Sequence, residues 1–321
     1  MKLSHLLIGL LVLAILGTIA FFTWRSNQTS TINRSDYEYA VRDTASIDKI
    51  FVAFKTNQSL LFTRNEDHSS WTINHKYKVA PDMMDMLLRT LHDVELKRPV
   101  SKSERNHVIN ELATEGIKIE IYRKNNLFKT LFLGNSTDGD LGTNIWLKGA
   151  ENPGVAHIRG FDGYLTARFN IEEMNWRSRD IINCTPRTLQ QLQITYTKNA
   201  AENVKITFLP EKNEFAVENI GAYDTAALYQ ALKNYERIAV YQYLTKVTTQ
   251  EKDSLLATTP ICTVQLTHLE AQKSINLKVY PYPNSPNGIL WIEKEQIFAS
   301  ITDKMLERLL ITASQLKAKK Q

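Results

Sequence analysis

Ile117–Leu133 reads IKIEIYRKNNLFKTLFL: a first run, Ile117–Tyr122, in which apolar and polar residues alternate, the polar turn Lys124-Asn125-Asn126, and a second strand-like run, Leu127–Leu133. Side chains on a strand point alternately to opposite faces, so such a run buries one face. A short polar turn then folds it back on its neighbour. Ahead of this hairpin, PDMMDMLLRTLHDV (Pro81–Val94) sets Met84, Leu87, Leu88 and Leu91 at helical spacing, with Pro81 and Asp82 where a first turn accepts them. A second helix is expected over Ser103–Leu112, after the short segment Glu95–Val100. Upstream, Ile47–Lys55 (IDKIFVAFK), Ser59–Thr63 and Trp71–Ile73 read as strands, and downstream Asn144–Leu147 and Val155–Ile158 close the set. The order through Leu133 is β-β-β-α-β-α-β-β, and the two downstream strands follow it.

The same succession returns from Leu192 onward. Strands are expected at Gln193–Thr197, Val204–Leu209 and Phe215–Val217, then a helix with an acidic start at Asp224–Leu232. A strand at Arg237–Tyr243, a short helix at Thr249–Leu256 and strands at Ile261–Thr267 and Ser274–Tyr280 follow. The offset stays between 142 and 146 residues: Asp224 answers Asp82, Ile261 answers Ile117, Leu277 answers Leu131, and Trp291 in ILWIE answers Trp146 in NIWLK. The expected fold class is therefore α+β, with two pseudo-repeated units of mainly antiparallel sheet and packed helices, over 47–185 and 186–321. A terminal amphipathic helix, Asp303–Leu316, carries Met305, Leu306, Leu309, Leu310 and Ile311 onto the second unit.

Leu6–Phe22 (LLIGLLVLAILGTIAFF) has no charge. At 1.5 Å per residue it makes a helix of about 25 Å, and about 33 Å if Leu3 and Trp24 are taken as its ends, enough to cross a bilayer. We expect a head at 1–5, a signal-anchor in the lipid bilayer at 6–24, with Trp24 and Arg25 at the outer interface, and a Ser/Thr/Asn-rich spacer at 25–46. That places the chain in the inner membrane as a single-pass protein with its body on the extracytoplasmic side. The alternative is cleavage after Ala20, which would release a secreted ligand-binding protein.

Composition sets the remaining bounds. At 43% hydrophobic residues the chain can build a packed core. Without Lys2 it has 38 basic against 34 acidic residues, and its basic stretches, Lys97-Arg98 with Lys102 and Arg105 and Lys317 with Lys319-Lys320, lack interleaved aromatics. No nucleic acid is expected as a partner. Cys184 and Cys262 are two buried thiols or one disulfide. No nucleophile elbow, zincin, P-loop or dinucleotide fingerprint occurs, and no two histidines stand four apart. We expect no enzyme and no cofactor, with an envelope hydrolase assembled only by the fold as the rival. The loop Asn135–Asn144 has oxygen donors but not the order of a calcium loop. Tyr280 and Tyr282 pose a choice between exposed aromatics for sugar or peptide stacking and a rigid hairpin.

Between the units run His157-Ile158-Arg159-Gly160-Phe161-Asp162-Gly163-Tyr164-Leu165 and Asn175-Trp176-Arg177-Ser178-Arg179-Asp180-Ile181-Ile182. This pairing, with the strand pair leading to Trp71 and with Leu133-Gly134 after a strand, resembles the family termed domain of unknown function 4340, above all its membrane-anchored members from Bacteroidota. The resemblance covers about Ile47 to Ile182 and, more loosely, the second half. It implies location and fold type and no catalytic residue. Some relatives look like partners or fusions of ABC-type transport and gliding-associated membrane proteins, which points to an ABC-transporter-associated envelope partner. Read from the residues alone, Trp176 is an apolar plug while Arg177, Arg179 and Asp180 bond exposed strand ends; the alternative has Arg177 and Arg179 holding a carboxylate or phosphate.

Overall fold

A computed structural model describes residues 13–23, 33–137, 140–169, 172–218, 220–281 and 288–318. Its contacts divide the chain into two compact units. The first comprises residues up to 76 together with 81–171, and the second 77–80 together with 172–321.

In the first unit the strands are β1 (Lys49–Ala53), β2 (Ser59–Arg64), β3 (Trp71–Ile73), β5 (Glu95–Pro99), β6 (Ile117–Arg123), β7 (Asn126–Thr137), β8 (Asp140–Leu147) and β9 (Gly154–His157), while β4 (Tyr77–Lys78) falls within the second unit. They form an antiparallel sheet in the order β3-β2-β1-β6-β7-β8-β9-β5. The alternation expected from sequence sets the register: Ile50 lies opposite Phe62 and Ile121, and Val52 opposite Leu60 and Ile119, all six buried. Helix α1 covers residues 13–23, α2 is Pro81–Asp93 and α3 is Arg105–Glu115. Met84, Leu87 and Leu91 of α2 are buried. Each such apolar side chain removed from water contributes about 1.5–3 kcal/mol.

The second unit holds β10 (Asp180–Ile182), β11 (Leu189–Tyr196), β12 (Val204–Leu209), β13 (Glu214–Glu218), β14 (Ile238–Ala239), β15 (Gln242–Tyr243), β16 (Cys262–His268), β17 (Ile275–Pro281), β18 (Gly288–Ile292) and β19 (Ile297–Ile301). Its main antiparallel sheet runs β13-β12-β11-β16-β17-β18-β19-β15. Adding ten to each strand number of the first unit's order reproduces it. The helices are α4 (Glu173–Trp176), α5 (Thr225–Lys233), α6 (Thr249–Ala257), α7 (Asp303–Leu309) and α8 (Ala313–Leu316). One face of the sheet packs on Leu228 and Leu232 of α5 with Leu309, Ile311 and Leu316. On the other face Tyr280, Ile289, Trp291 and Phe298 meet Leu255 and Leu256 of α6. β18 is accordingly buried along its whole length.

Three expectations are corrected. Residues 33–46, which their composition marks as spacer, pack onto the first unit: Tyr39 and Val41 are buried, and Val41 donates its N–H to Leu91 O at 2.8 Å. Arg237–Tyr243 is not one strand, because β14 pairs with β10 whereas β15 pairs with β19. The terminal helix breaks at 310–312. Thr312 starts α8 with its own capping box, while the Tyr235 and Tyr196 hydroxyls take the carbonyls of Leu309 and Ile311. The described part of the apolar segment, α1, is about 16 Å long, and among the described residues no helix is long and apolar enough to cross a membrane. Residues 1–12 and 24–32, which complete the expected head, anchor and outer interface, lie outside the described residues.

The acidic start foreseen at Asp224 is a helix cap. Its Oδ1 accepts N–H bonds from Ala226 (2.8 Å) and Ala227 (3.1 Å). Asp224→Ala should therefore cost about 1 kcal/mol, and Asp224→Ser should restore most of it in urea unfolding curves.

Candidate functional site

The two sequence elements at the joint lie in different units and are held by different means. In the first, His157 ends β9 opposite Glu95, and His157 Nε2 (3.2 Å) and Arg159 Nε (2.5 Å) converge on the same Glu95 Oε1. Gly160 has φ +73°, the left-handed region that glycine enters without strain. Gly163 lies instead against an aromatic ring. A Cβ there would stand 2.6 Å from Cζ of Phe161, whose ring also carries the Arg168 guanidinium at 4.0 Å. Leu165 is buried and donates its N–H to Thr143 Oγ1 at 2.8 Å. The HI-x-G-F-x-G-Y-L pattern is thus a chain reversal folded around one aromatic ring.

The second element lies in the second unit. Trp176, at the end of α4, is 1% exposed, and its carbonyl accepts the Ala80 N–H at 2.8 Å. Arg177 is 7% exposed. Its guanidinium lies between the rings of Tyr77 (4.3 Å) and Tyr243 (3.8 Å), and Nη2 pairs with Glu295. Burial pushes the Tyr243 phenol above its usual range, with Arg177 opposing. The phenol stays a donor to Ser178 O at 2.9 Å. Backbone bonds continue the strap, from Ser178 N to Lys78 O (2.7 Å) and from Val240 N to Arg179 O (2.9 Å).

Of the four candidates, Trp176 and Arg177 are therefore interior, Asp180 pairs with Arg237 at 2.9 Å, and Arg179 is exposed, its Nη1 3.4 Å from Tyr241 O. The two arginines face different surroundings and do not converge on one ligand. Sequence reasoning did not find Tyr77, Tyr243 and Glu295, the partners of Arg177. Tyr77 and Glu295 lie a hundred residues or more away along the chain, and nothing local marks them.

Other candidates resolve similarly. Tyr280 is buried, edge-on to Phe298 at 6.1 Å, and so offers no stacking surface. Tyr282 lies outside the described residues. Strands run through most of Asn135–Asn144, and among the described residues no group of three or more His, Cys, Asp or Glu side chains could hold a metal ion. Cys184 and Cys262 are separate buried thiols. Burial pushes the Cys262 thiol up from 9.0 to about 12. Because its folded value is the higher one, the stability linked to this group is complete below pH 9 and is lost as pH rises toward 12. At pH 8 a thiol-alkylating reagent should label neither cysteine in the native chain and both in denaturant, as read by mass spectrometry.

The geometry defines a class: a tandem α+β protein whose sequence signature is a chain reversal followed by a cation–π strap. Residues 71–258, more than half of the chain, match the family described as domain of unknown function (DUF4340), and the chain belongs to that family. The match starts at β3 and runs past α6, so it covers both signature elements and extends beyond residue 185 well into the second unit. No curated protein and no solved structure matches the chain.

Proposed function

We propose that this protein is a membrane-anchored, extracytoplasmic binding or scaffold component of an envelope complex, held by residues 6–24 in the inner membrane. The observation that carries the reading is α1: every residue from 13 to 23 is exposed, including Leu13, Ile15, Leu16, Ile19, Phe21 and Phe22. An apolar helix packed against nothing is costly in water and stable in hydrocarbon. The scaffold role rests on how the signature residues are spent. Arg177 and Asp180 bond Glu295 and Arg237, while Arg179 lies exposed beside Tyr241, itself 59% exposed. Arginine and tyrosine are the residue types that dominate binding energy at interfaces, which makes this pair the proposed contact for a membrane-protein partner such as a transporter subunit.

Fractionation tests the placement. The intact chain should resist alkaline carbonate extraction and be cut by protease added outside spheroplasts, and recovery of intact chain in the cytosol would overturn it. Co-purification from mild detergent tests the role: Arg179→Ala with Tyr241→Ala should lose the partner at an unchanged melting temperature. The secreted alternative predicts a native N-terminus at Phe21, which mass measurement decides.

A further inference from the structure

The β6–β7 hairpin ends in an apolar tip that the fold builds deliberately. Arg123 pairs with Asn126, and the two residues between, Lys124 and Asn125, have φ +49° and +61°, as a two-residue hairpin loop with both central residues left-handed requires. Just beyond the turn the register slips: Tyr122 faces Leu127, and Ile121 faces Lys129. Phe128 is the extra residue of a β-bulge, a device that re-aims side chains. Leu127 (51% exposed) and Phe128 (45%) consequently both reach solvent, consecutive residues where a regular strand would bury one. The Arg123 guanidinium covers the Phe128 ring at 3.7 Å, and Lys124 is exposed beside it. The neighbouring acid, Asp48, is engaged by Asn125 N at 2.8 Å.

The same end of the hairpin grips the segment by which the chain enters the unit. Lys129 Nζ donates to the carbonyls of Glu38, Tyr39 (3.3 Å) and Ala40 (2.9 Å), and Arg123 Nη2 to Asp43 O (3.1 Å). Ten residue steps separate Asn33, where this segment begins, from Thr23, the last residue of α1. A fully extended chain covers at most about 35 Å in that number of steps.

We propose that this tip rests on the bilayer surface, with Leu127 and Phe128 in the interfacial layer and Lys124 toward anionic headgroups. The proposal depends on the membrane placement above. It makes the hairpin a second, reversible contact that orients the body on its tether. Apolar side chains flanked by snorkelling cations are the composition that interfacial binding requires.

The test uses the full chain carrying Leu127→Cys, labelled with a polarity-sensitive fluorophore and reconstituted in vesicles with or without a nitroxide-bearing lipid. Buried Cys184 and Cys262 stay unlabelled under native conditions, and Thr56→Cys, in the exposed turn between β1 and β2 at the opposite end of the same sheet, is the control. The label at 127 should shift to shorter wavelength and lose most of its emission to the lipid quencher, while the label at 56 is unaffected. Quenching should be stronger when phosphatidylglycerol is mixed into phosphatidylcholine. A chain that floats with the vesicles but shows an unquenched label at 127 overturns this proposal alone, as does equal quenching at 127 and 56. Equal quenching in both lipid compositions overturns the role given to Lys124. A chain that fails to enter vesicles sinks the membrane placement itself. Phe128→Cys repeats the measurement if the first variant is poorly folded.

Discussion

Arg177→Ala should lower the unfolding free energy by about 3 kcal/mol, read from urea unfolding of the detergent-solubilised chain. Removing one partner of a buried ion pair typically costs about 3–5 kcal/mol because the other charge is stranded. Here the survivor is Glu295, whose side chain is 29% exposed, so water recovers part of the loss and the lower end applies. The two ring contacts, at 4.3 and 3.8 Å, add to it, each worth about 0.5–2 kcal/mol. Arg177→Lys should recover only a fraction, since an ammonium keeps the charge but not the planar group that fits between two rings. Wild-type stability in Arg177→Ala would dismiss the strap as decoration and revive a ligand-holding role for that residue.

Trp176→Ala should be at least as damaging, about 3–5 kcal/mol, the range for truncating a fully buried aromatic. The residue is 1% exposed, so truncation leaves a void in the interior. Trp176→Phe should cost distinctly less. Adjacent in the chain, the two sites should couple, and the double variant with Arg177→Ala should lose less than the single losses combined. Equal unfolding midpoints for Trp176→Ala and wild type would remove the basis for treating the signature as structural.

Much of this fold was legible because its strands obey a two-residue period and its helices a longer one. Trp71–Ile73 and Val204–Leu209 fall where alternation places them, and α2 lies within the run PDMMDMLLRTLHDV. The repeat was legible for the same reason, from Ile117 and Ile261 to Trp146 and Trp291. Where the reading failed, tertiary contacts overrode local pattern. Residues 33–46 look like a linker because their composition is polar, yet Tyr39 and Val41 anchor them, Asp36 is buried, and Lys129 satisfies three of their carbonyls. β19 (Ile297–Ile301) was missed although it completes the second sheet: four of its five residues are buried, so a strand enclosed on both sides carries no alternation. At the site, Trp176, Arg177 and Asp180 were legible as a group. Tyr77, Tyr243 and Glu295 were not, since their meeting depends on strands that only the folded chain brings together.

The excursion of residues 77–80 limits how the molecule can be divided. Lys78 and Ala80 bond Ser178 and Trp176, so four residues encoded inside the first half complete the architecture of the second. A gene cut at the apparent boundary near residue 171 would part Trp176 O and Ser178 N from the backbone partners that Ala80 and Lys78 supply. Neither should be recoverable as a well-behaved fragment, whereas co-expressing the two halves could let them reassemble by complementation.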